Sequence, residues 1–165
     1  MTRRLALPLV LGCIAFGAHA QVPHIVGNWR LNVAASRVPG PTPQTHVRSY
    51  SVTPDGTVIG LAVIVDADGT PSFLQFAAKP DGKDYPEFDA GSAAQYSMDG
   101  SPPLATYAET PVDSHTVEWT DKYDGRVTFS GRRSVSPDGR TMTITAVAKN
   151  ERNEAVEFLF VFDRI

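Results

Sequence analysis

Residues 127–148 read VTFSGRRSVSPDGRTMTITAVA, and this stretch predicts two β-strands joined by a tight turn. On each side of the turn, apolar residues alternate with Thr or Ser, as in strands with one buried and one solvent-facing side. Between them, Pro137 presets φ for a turn, Asp138 can bond its own backbone, and Gly139 accepts a positive φ. The apolar set that we expect to share one face in each strand is Val127, Phe129 and Val135, then Met142, Ile144, Ala146 and Ala148.

The same turn signal recurs along the chain. Asp-Gly between alternating segments is typical of β-hairpins, and it occurs at Asp55-Gly56, Asp68-Gly69, Asp81-Gly82, Asp99-Gly100, Asp124-Gly125 and Asp138-Gly139. Alternation also predicts that Ile59, Leu61, Val63 and Val65 share the buried face of one strand, and that Val117 and Trp119 share a face of another. The strand 155–164 is apolar on both faces in its middle, which predicts either cover on both sides or a contact surface.

Helical signals are limited to single turns. Residues 33–37 and 89–95 could each form one turn, and the prolines at 39, 41 and 43 predict an extended linker. The expected fold is therefore all-β: an antiparallel up-and-down barrel of about eight strands, with no long helix. Eight strands leave room for packed side chains or for one small ligand.

The first twenty residues are typical of an export signal. Arg3 and Arg4 precede a short apolar run, and Ala18-His19-Ala20 fits a leader-peptidase site. We expect cleavage after Ala20, a periplasmic or secreted protein, and one barrel domain over 21–165. An alternative is a lipoprotein, because Val10-Leu11-Gly12-Cys13 loosely resembles a lipobox.

Composition argues against several classes of partner and of catalytic chemistry. Cys13 is the only cysteine and lies in the predicted signal, so the mature chain would have neither a disulfide nor a thiol nucleophile. The net charge of −3, without a basic cluster, argues against nucleic acid as a partner. Outward Thr, Ser and Glu argue against a membrane-spanning barrel. No sequence pattern predicts a cofactor or a metal site.

Several segments in order resemble one family. They are Gly27-Asn28-Trp29-Arg30-Leu31-Asn32 with Ala34-Ala35-Ser36-Arg37, Asp66-Ala67-Asp68-Gly69, Asp81-Gly82-Lys83-Asp84-Tyr85-Pro86, Gly131-Arg132-Arg133 before Ser136-Pro137-Asp138-Gly139, and Val161-Phe162-Asp163-Arg164. Together they resemble the bacterial exported lipocalin-like (calycin-type) proteins, over nearly all of the mature chain. The resemblance implies a lipocalin-like barrel in the cell envelope and little about activity, because fold does not determine function.

The resemblance also implies a plug at one end of the barrel. Lipocalins pack an arginine of the last strand across the tryptophan of Gly-x-Trp, and Trp29 with Arg164 fits that role. Arg133 is the competing arginine. If Arg164 takes the plug, Arg133 can point into the cavity and hold a carboxylate or phenolate. The alternatives for Arg133 are a salt bridge at the barrel rim or a bulge at Gly131 that turns it outward.

Other candidate side chains are aromatic or titratable. The ligand-binding candidates besides Arg133 are Tyr50, Phe73, Phe76 and Tyr85, the last in a loop at the barrel mouth where it could equally cap the edge. His46 and Tyr107 are the candidate catalytic residues. His24 lies near the expected new N-terminus, His115 is expected at the surface, and the spacing of the histidines fits no metal motif.

Three classes of function remain open. The first is a binding module for a small apolar or amphipathic ligand. The second is a small lyase, isomerase or hydratase, which requires convergent polar groups in the pocket and which Arg133, His46 and Tyr107 in one cavity would favour. The third is a structural or interaction module, with a homodimer formed through Leu159 and Val161 of the last strand.

Overall fold

A computed structural model describes residues 24–89, 104–149 and 152–165 of the 165-residue chain. The predicted signal peptide, Cys13 and the Asp99-Gly100 turn lie outside the described residues. Of the helical turn predicted over 89–95, only Asp89 is described, and it ends a strand.

The described residues form ten strands in one closed antiparallel barrel, which confirms the predicted fold class with ten strands instead of about eight. A single 3-10 turn over Val33–Ala35 follows the first strand, as residues 33–37 predicted. The strands in chain order are β1 (Gly27–Leu31), β2 (Thr45–Val52), β3 (Val58–Val65), β4 (Pro71–Ala78), β5 (Tyr85–Asp89), β6 (Ala105–Pro111), β7 (Thr116–Tyr123), β8 (Arg126–Val135), β9 (Thr141–Lys149) and β10 (Ala155–Arg164).

Strand β5 was not expected as a strand. It is short and contains Pro86, a residue that argues against a strand in a sequence. Tyr85 and Pro86 pair with β6 opposite Tyr107 and Thr106, so the expected loop at Tyr85 is wrong. Adding this strand is one reason why the barrel exceeds the predicted size.

The Asp-Gly turns join strands as predicted wherever they are described. In the turn between β8 and β9, Asp138 Oδ1 accepts from the backbone N–H of Arg140 at 3.0 Å. Gly139 has a φ of 70° there and donates to the carbonyl of Ser136. The Asp138 side chain and Gly139 thus form the hydrogen bonds that stabilise this tight turn.

The inward face of β3 is opposite to the predicted one. Leu61 and Val63 lie on the outside, 39 % and 38 % exposed, whereas the inward positions include Gly60 and Ala62. The alternation did not distinguish the faces because β3 is apolar on both. The interior selects the small residues, since a Cβ at Gly60 would lie 2.5 Å from the Phe76 ring.

A bulge near the start of β8 places one further residue on the opposite face from the predicted one. The pairing with β7 shifts between Asp121 and Lys122, so that Asp121 pairs with Phe129 and Lys122 pairs with Val127. Val127 is therefore outside and 53 % exposed, and its predicted place beside Phe129 is wrong. Gly131 pairs regularly with Trp119, so no bulge there turns Arg133 outward.

The segment that follows β1 continues the pairing along the edge of β10. Arg37 forms a bridge with Leu159, and the N–H of Asn32 donates to the Val161 carbonyl at 2.7 Å. Leu159 and Val161 are half-buried. A dimer through these residues stays a prediction.

The two ends of the barrel differ in how they are closed. We call one end the Trp29 end. It carries the turns 53–57, 112–115 and 136–140, and β1 begins there with the fully buried Trp29. The Pro-rich end carries residues 38–43 and the turn 66–70. None of the described segments is a helix long and apolar enough to cross a membrane.

The close backbone approach at Gly131 provides a test of the barrel. A Cβ at this position would lie 2.1 Å from the Thr145 carbonyl oxygen and 2.9 Å from Ala146 Cα. We expect Gly131→Ala to lower the free energy of unfolding by about 2–3 kcal/mol, because backbone must move to admit it. Urea unfolding measures this, with Ser130→Ala as the control that should change stability by less than about 0.5 kcal/mol. Equal stability of both variants would contradict the strand packing.

Candidate functional site

The Pro-rich half of the barrel contains a cavity of about 570 Å³. This volume lies within the range of small-molecule sites, about 300–1,000 Å³. The cavity is lined from most of the strands and from the linker 38–43, whose Pro39, Pro41 and Pro43 contribute to its wall. A cavity at this place follows from the ring of ten strands, because barrel diameter grows with strand number.

Aromatic side chains form much of the cavity wall. Phe76 and Tyr107 stack with ring centroids 3.9 Å apart, and Trp119 meets Phe129 edge-on at 5.1 Å. Phe129 in turn contacts Phe158 at 5.3 Å. Each occupies an inward position of its strand, so the pleat of five different strands brings them together. Such a wall offers a ligand apolar area and ring faces.

Arg133 points into the barrel and is neutralised there. It is 5 % exposed, and its Nη2 donates to Glu109 Oε2 at 2.7 Å. Its Nη1 donates to the Tyr107 hydroxyl at 3.1 Å, and that hydroxyl donates to the same carboxylate oxygen at 2.7 Å. The guanidinium also lies 5.0 Å from the Tyr50 ring centre. The carboxylate of Glu109 thus supplies the opposite charge to Arg133 inside the barrel, and binding of a ligand by Arg133 stays a prediction.

Arg48 is the second arginine at this cavity. Its Nε donates to His46 Nε2 at 3.2 Å, and its Nη1 donates to the Tyr50 hydroxyl at 3.2 Å. The guanidinium lies 5.6 Å from the ring centre of Phe162. We call Arg48, Arg133 and their partners the arginine network; its members are His46, Arg48, Tyr50, Tyr107, Glu109 and Arg133.

Charge within the arginine network is unbalanced. Two guanidinium groups face one carboxylate, and that carboxylate binds Arg133. Among the described residues, no Asp or Glu lies within ion-pair distance of Arg48. Glu87 and Asp121 also line the cavity, and both have interactions of their own. The network therefore carries one cation without a carboxylate partner.

Burial and neighbouring charges set the protonation states of three members of the network: His46 and Tyr107 are held neutral, and Arg133 is held charged. Burial, together with the positive charge of Arg48, lowers the pKa of His46 to about 3. Burial, with the charge of Glu109 adding to it against the pull of Arg133, raises the pKa of Tyr107 well above its usual range. Burial alone would lower the pKa of Arg133, but Tyr107 and Glu109 outweigh it and the pKa is raised. At neutral pH these groups can donate or accept hydrogen bonds without changing charge.

The Trp29 end has a separate arrangement. The Arg164 guanidinium lies 4.2 Å from the Trp29 ring centre and donates to the carbonyls of Val26 and His24, each at 2.7 Å. His24 stacks on His115 with centroids 3.9 Å apart. A smaller cavity of about 190 Å³ lies here, with Arg133 reaching both cavities. Arg164, rather than Arg133, is thus the arginine that contacts Trp29.

No protein-family model matches the sequence, and no curated protein matches it either. The antiparallel barrel is consistent with a calycin-like fold. The resemblance to exported lipocalin-like proteins stays a resemblance.

Some predicted ligand-binding residues lie away from the cavity. Phe73 is outside and 48 % exposed, because it is three residues from inward-facing Phe76 and a strand places such residues on opposite faces. Tyr85 packs against the core, and its hydroxyl bonds Asp81 at 3.1 Å. Tyr50 is buried beneath Arg133. Phe76, His46, Tyr107 and Arg133 line the cavity together.

Two charged members of the network were missed from the sequence. Arg48 is in phase with His46 and Tyr50, and Glu109 is in phase with Tyr107. Period-two alternation could have singled out both as inward charges. It could not have paired Glu109 with Arg133, since they belong to β6 and β8, with β7 between them. Among the described residues no group of three or more His, Cys, Asp or Glu could hold a metal ion.

Removing Arg133 should expose the dependence of the barrel on its ion pair. Arg133→Met leaves the Glu109 carboxylate buried without its cation, and we expect a loss of about 3–5 kcal/mol in the free energy of unfolding. The double variant Glu109→Leu/Arg133→Met should lose less than Arg133→Met alone. Arg132→Met is the control, since the neighbouring Arg132 pairs with Glu118 on the exposed outer face and should lose at most about 1 kcal/mol. Equal losses for Arg132→Met and Arg133→Met would contradict the buried pair.

His46 should make stability depend on pH. The folded state holds His46 neutral down to pH about 3, whereas the unfolded chain binds a proton near pH 6.5. Its contribution is therefore complete above pH 6.5 and is lost as the pH falls toward 3. Between pH 7 and 4.5 this loss amounts to about 2–3 kcal/mol. Urea unfolding at both pH values should show a smaller fall for His46→Gln than for the wild type, whereas His115→Gln should keep the wild-type fall. An unchanged fall in His46→Gln would overturn the assignment.

Proposed function

We propose that the protein is an exported, lipocalin-like β-barrel that binds one small amphipathic molecule in the cavity of its Pro-rich half. The observation that carries the proposal is the cavity of about 570 Å³, with an aromatic wall and polar groups that converge at one side. Apolar pockets with a few placed polar groups are the usual form of small-molecule sites. The signal-like residues 1–20 support export to the periplasm or beyond, and the family resemblance supports a place in the cell envelope.

An enzyme is the second candidate, because His46, Tyr107 and Arg133 line one cavity. General acid–base catalysis works best when the pKa of the catalytic group is near the operating pH. The pKa of His46 is lowered to about 3, and that of Tyr107 is raised well above its usual range. Both are thus poorly suited to proton transfer at neutral pH. Binding is therefore the better-supported function.

An interaction module is the third candidate, on a different face from the one expected. Leu61, Val63 and Phe73 expose apolar side chains on the outside of β3 and β4, and Val63 pairs directly with Phe73. Clustered apolar exposure favours contact with another surface. A dimer in solution that dissociates on Phe73→Ser would favour this function.

Binding can be tested with N-phenyl-1-naphthylamine, an uncharged probe that fluoresces in apolar sites. We expect the wild type to bind it and to be stabilised against heat, because a ligand that binds only the folded state raises its stability. Ala148 lines the cavity, so Ala148→Phe should occupy part of it and weaken binding by at least about tenfold.

The matched control is Val147→Phe on the same strand, because Val147 points outward and is exposed. This variant should bind the probe within about twofold of the wild type. Absence of probe binding to the wild type, or equal binding by Ala148→Phe and Val147→Phe, would overturn the proposed function.

A further inference from the structure

We infer that Arg48 is the head-group anchor of this cavity, and that the ligand is an amphipathic carboxylate with an apolar or aromatic tail. The inference rests on the proposed function and names its ligand class. The guanidinium of Arg48 would contact the carboxylate, and the aromatic wall would contact the tail.

The charge of Arg48 is the first argument. Arg48 is half-buried at the cavity, and the described residues provide no carboxylate partner for it. Its partners, His46 and the Tyr50 hydroxyl, are neutral acceptors. A partly desolvated cation without an anion favours a ligand that brings one.

The geometry of Arg48 is the second argument. A guanidinium has five N–H donors, and the bonds to His46 and Tyr50 use one on Nε and one on Nη1. The two donors on Nη2 and the second on Nη1 remain for a ligand. These contacts hold the guanidinium plane in place, and a planar fork matches the two oxygens of a carboxylate. His46 is thus a positioning residue, held neutral so that it accepts from Arg48 and does not repel it.

The number of charges favours a single negative charge on the ligand. Arg133 is already neutralised by Glu109, so Arg48 offers one unbalanced positive charge. A phosphate monoester carries about −1.5 to −2 at neutral pH and would leave excess negative charge beside the acidic groups of the wall. A carboxylate carries one negative charge and therefore matches the single positive charge of Arg48 more closely than a phosphate does.

The acidic groups at the cavity would orient the ligand. Asp121 extends from β7, which lies opposite β2 in the ring with four strands between them on either side, and Glu87 extends from β5. Asp66 lies at the Pro-rich end and is exposed, so solvent screens it. The carboxyl group of Asp121 on the wall opposite β2 disfavours an anionic head there, which favours the β2 side as its place.

The test compares decanoate with decanol as competitors of bound N-phenyl-1-naphthylamine at pH 8. The two share a ten-carbon chain and differ in the charge of the head. We expect decanoate to displace the probe from the wild type at about tenfold lower concentration than from Arg48→Gln, as one charge-assisted hydrogen-bonded contact predicts. The decanol and probe affinities should differ by less than about twofold between these proteins.

The matched control is Arg30→Gln, which removes the same charge from the exposed face of β1 and should leave decanoate binding unchanged. Arg48→Lys keeps the charge without the fork and should fall between the wild type and Arg48→Gln, and it serves if the Gln variant is unfolded by circular dichroism. If the probe binds but decanoate competes equally in the wild type, Arg48→Gln and Arg48→Lys, the anchor is overturned and the binding function stands. If the probe does not bind the wild type, the proposed function itself fails.

Discussion

Closure of the sheet into a ring is the constraint on which the other features depend. Once β1 pairs with both β2 and β10, the described strands form one ring, and the pleat directs alternate residues of each of them to the interior. Polar side chains at inward positions must then find partners inside. Arg133 and Glu109 do so by pairing with each other, and the Tyr107 hydroxyl bonds to both.

The ion pair also gives the two cavity arginines different roles, which the sequence alone does not distinguish. Arg133 is bound by its own carboxylate and braces β8 against β6 across the intervening β7. Within the described part of the chain, Arg48 donates to His46 and to the Tyr50 hydroxyl and has no carboxylate partner, so its charge is available to the cavity. The charge of Arg133 thus stabilises the barrel, whereas the charge of Arg48 can serve a ligand. The two arginines differ because Glu109 lies beside Arg133. The argument for a binding function depends on this difference together with the aromatic wall.

Local patterns predicted the elements well and their orientation less well. Alternation and Asp-Gly turns identified the hairpin of β8 and β9, because both signals act over a few residues. They misplaced the face of β3, since both of its faces are apolar, and they misplaced Val127, because a bulge shifts the alternation by one residue. Strand β5 was missed because Pro86 weakens its pattern. Phe73 was assigned to the cavity although its spacing from Phe76 puts the two on opposite faces.

The sequence by itself determined an all-β antiparallel barrel and its described turns, because these follow from backbone preferences and a period of two. Only the tertiary structure decided that the ring has ten strands, that Glu109 neutralises Arg133, that Arg164 lies on Trp29, and that Arg48 keeps an unbalanced charge. The physical reason is that pairing of charges depends on which strands are neighbours in the closed ring. That information lies in contacts between residues far apart in the chain and in no local pattern.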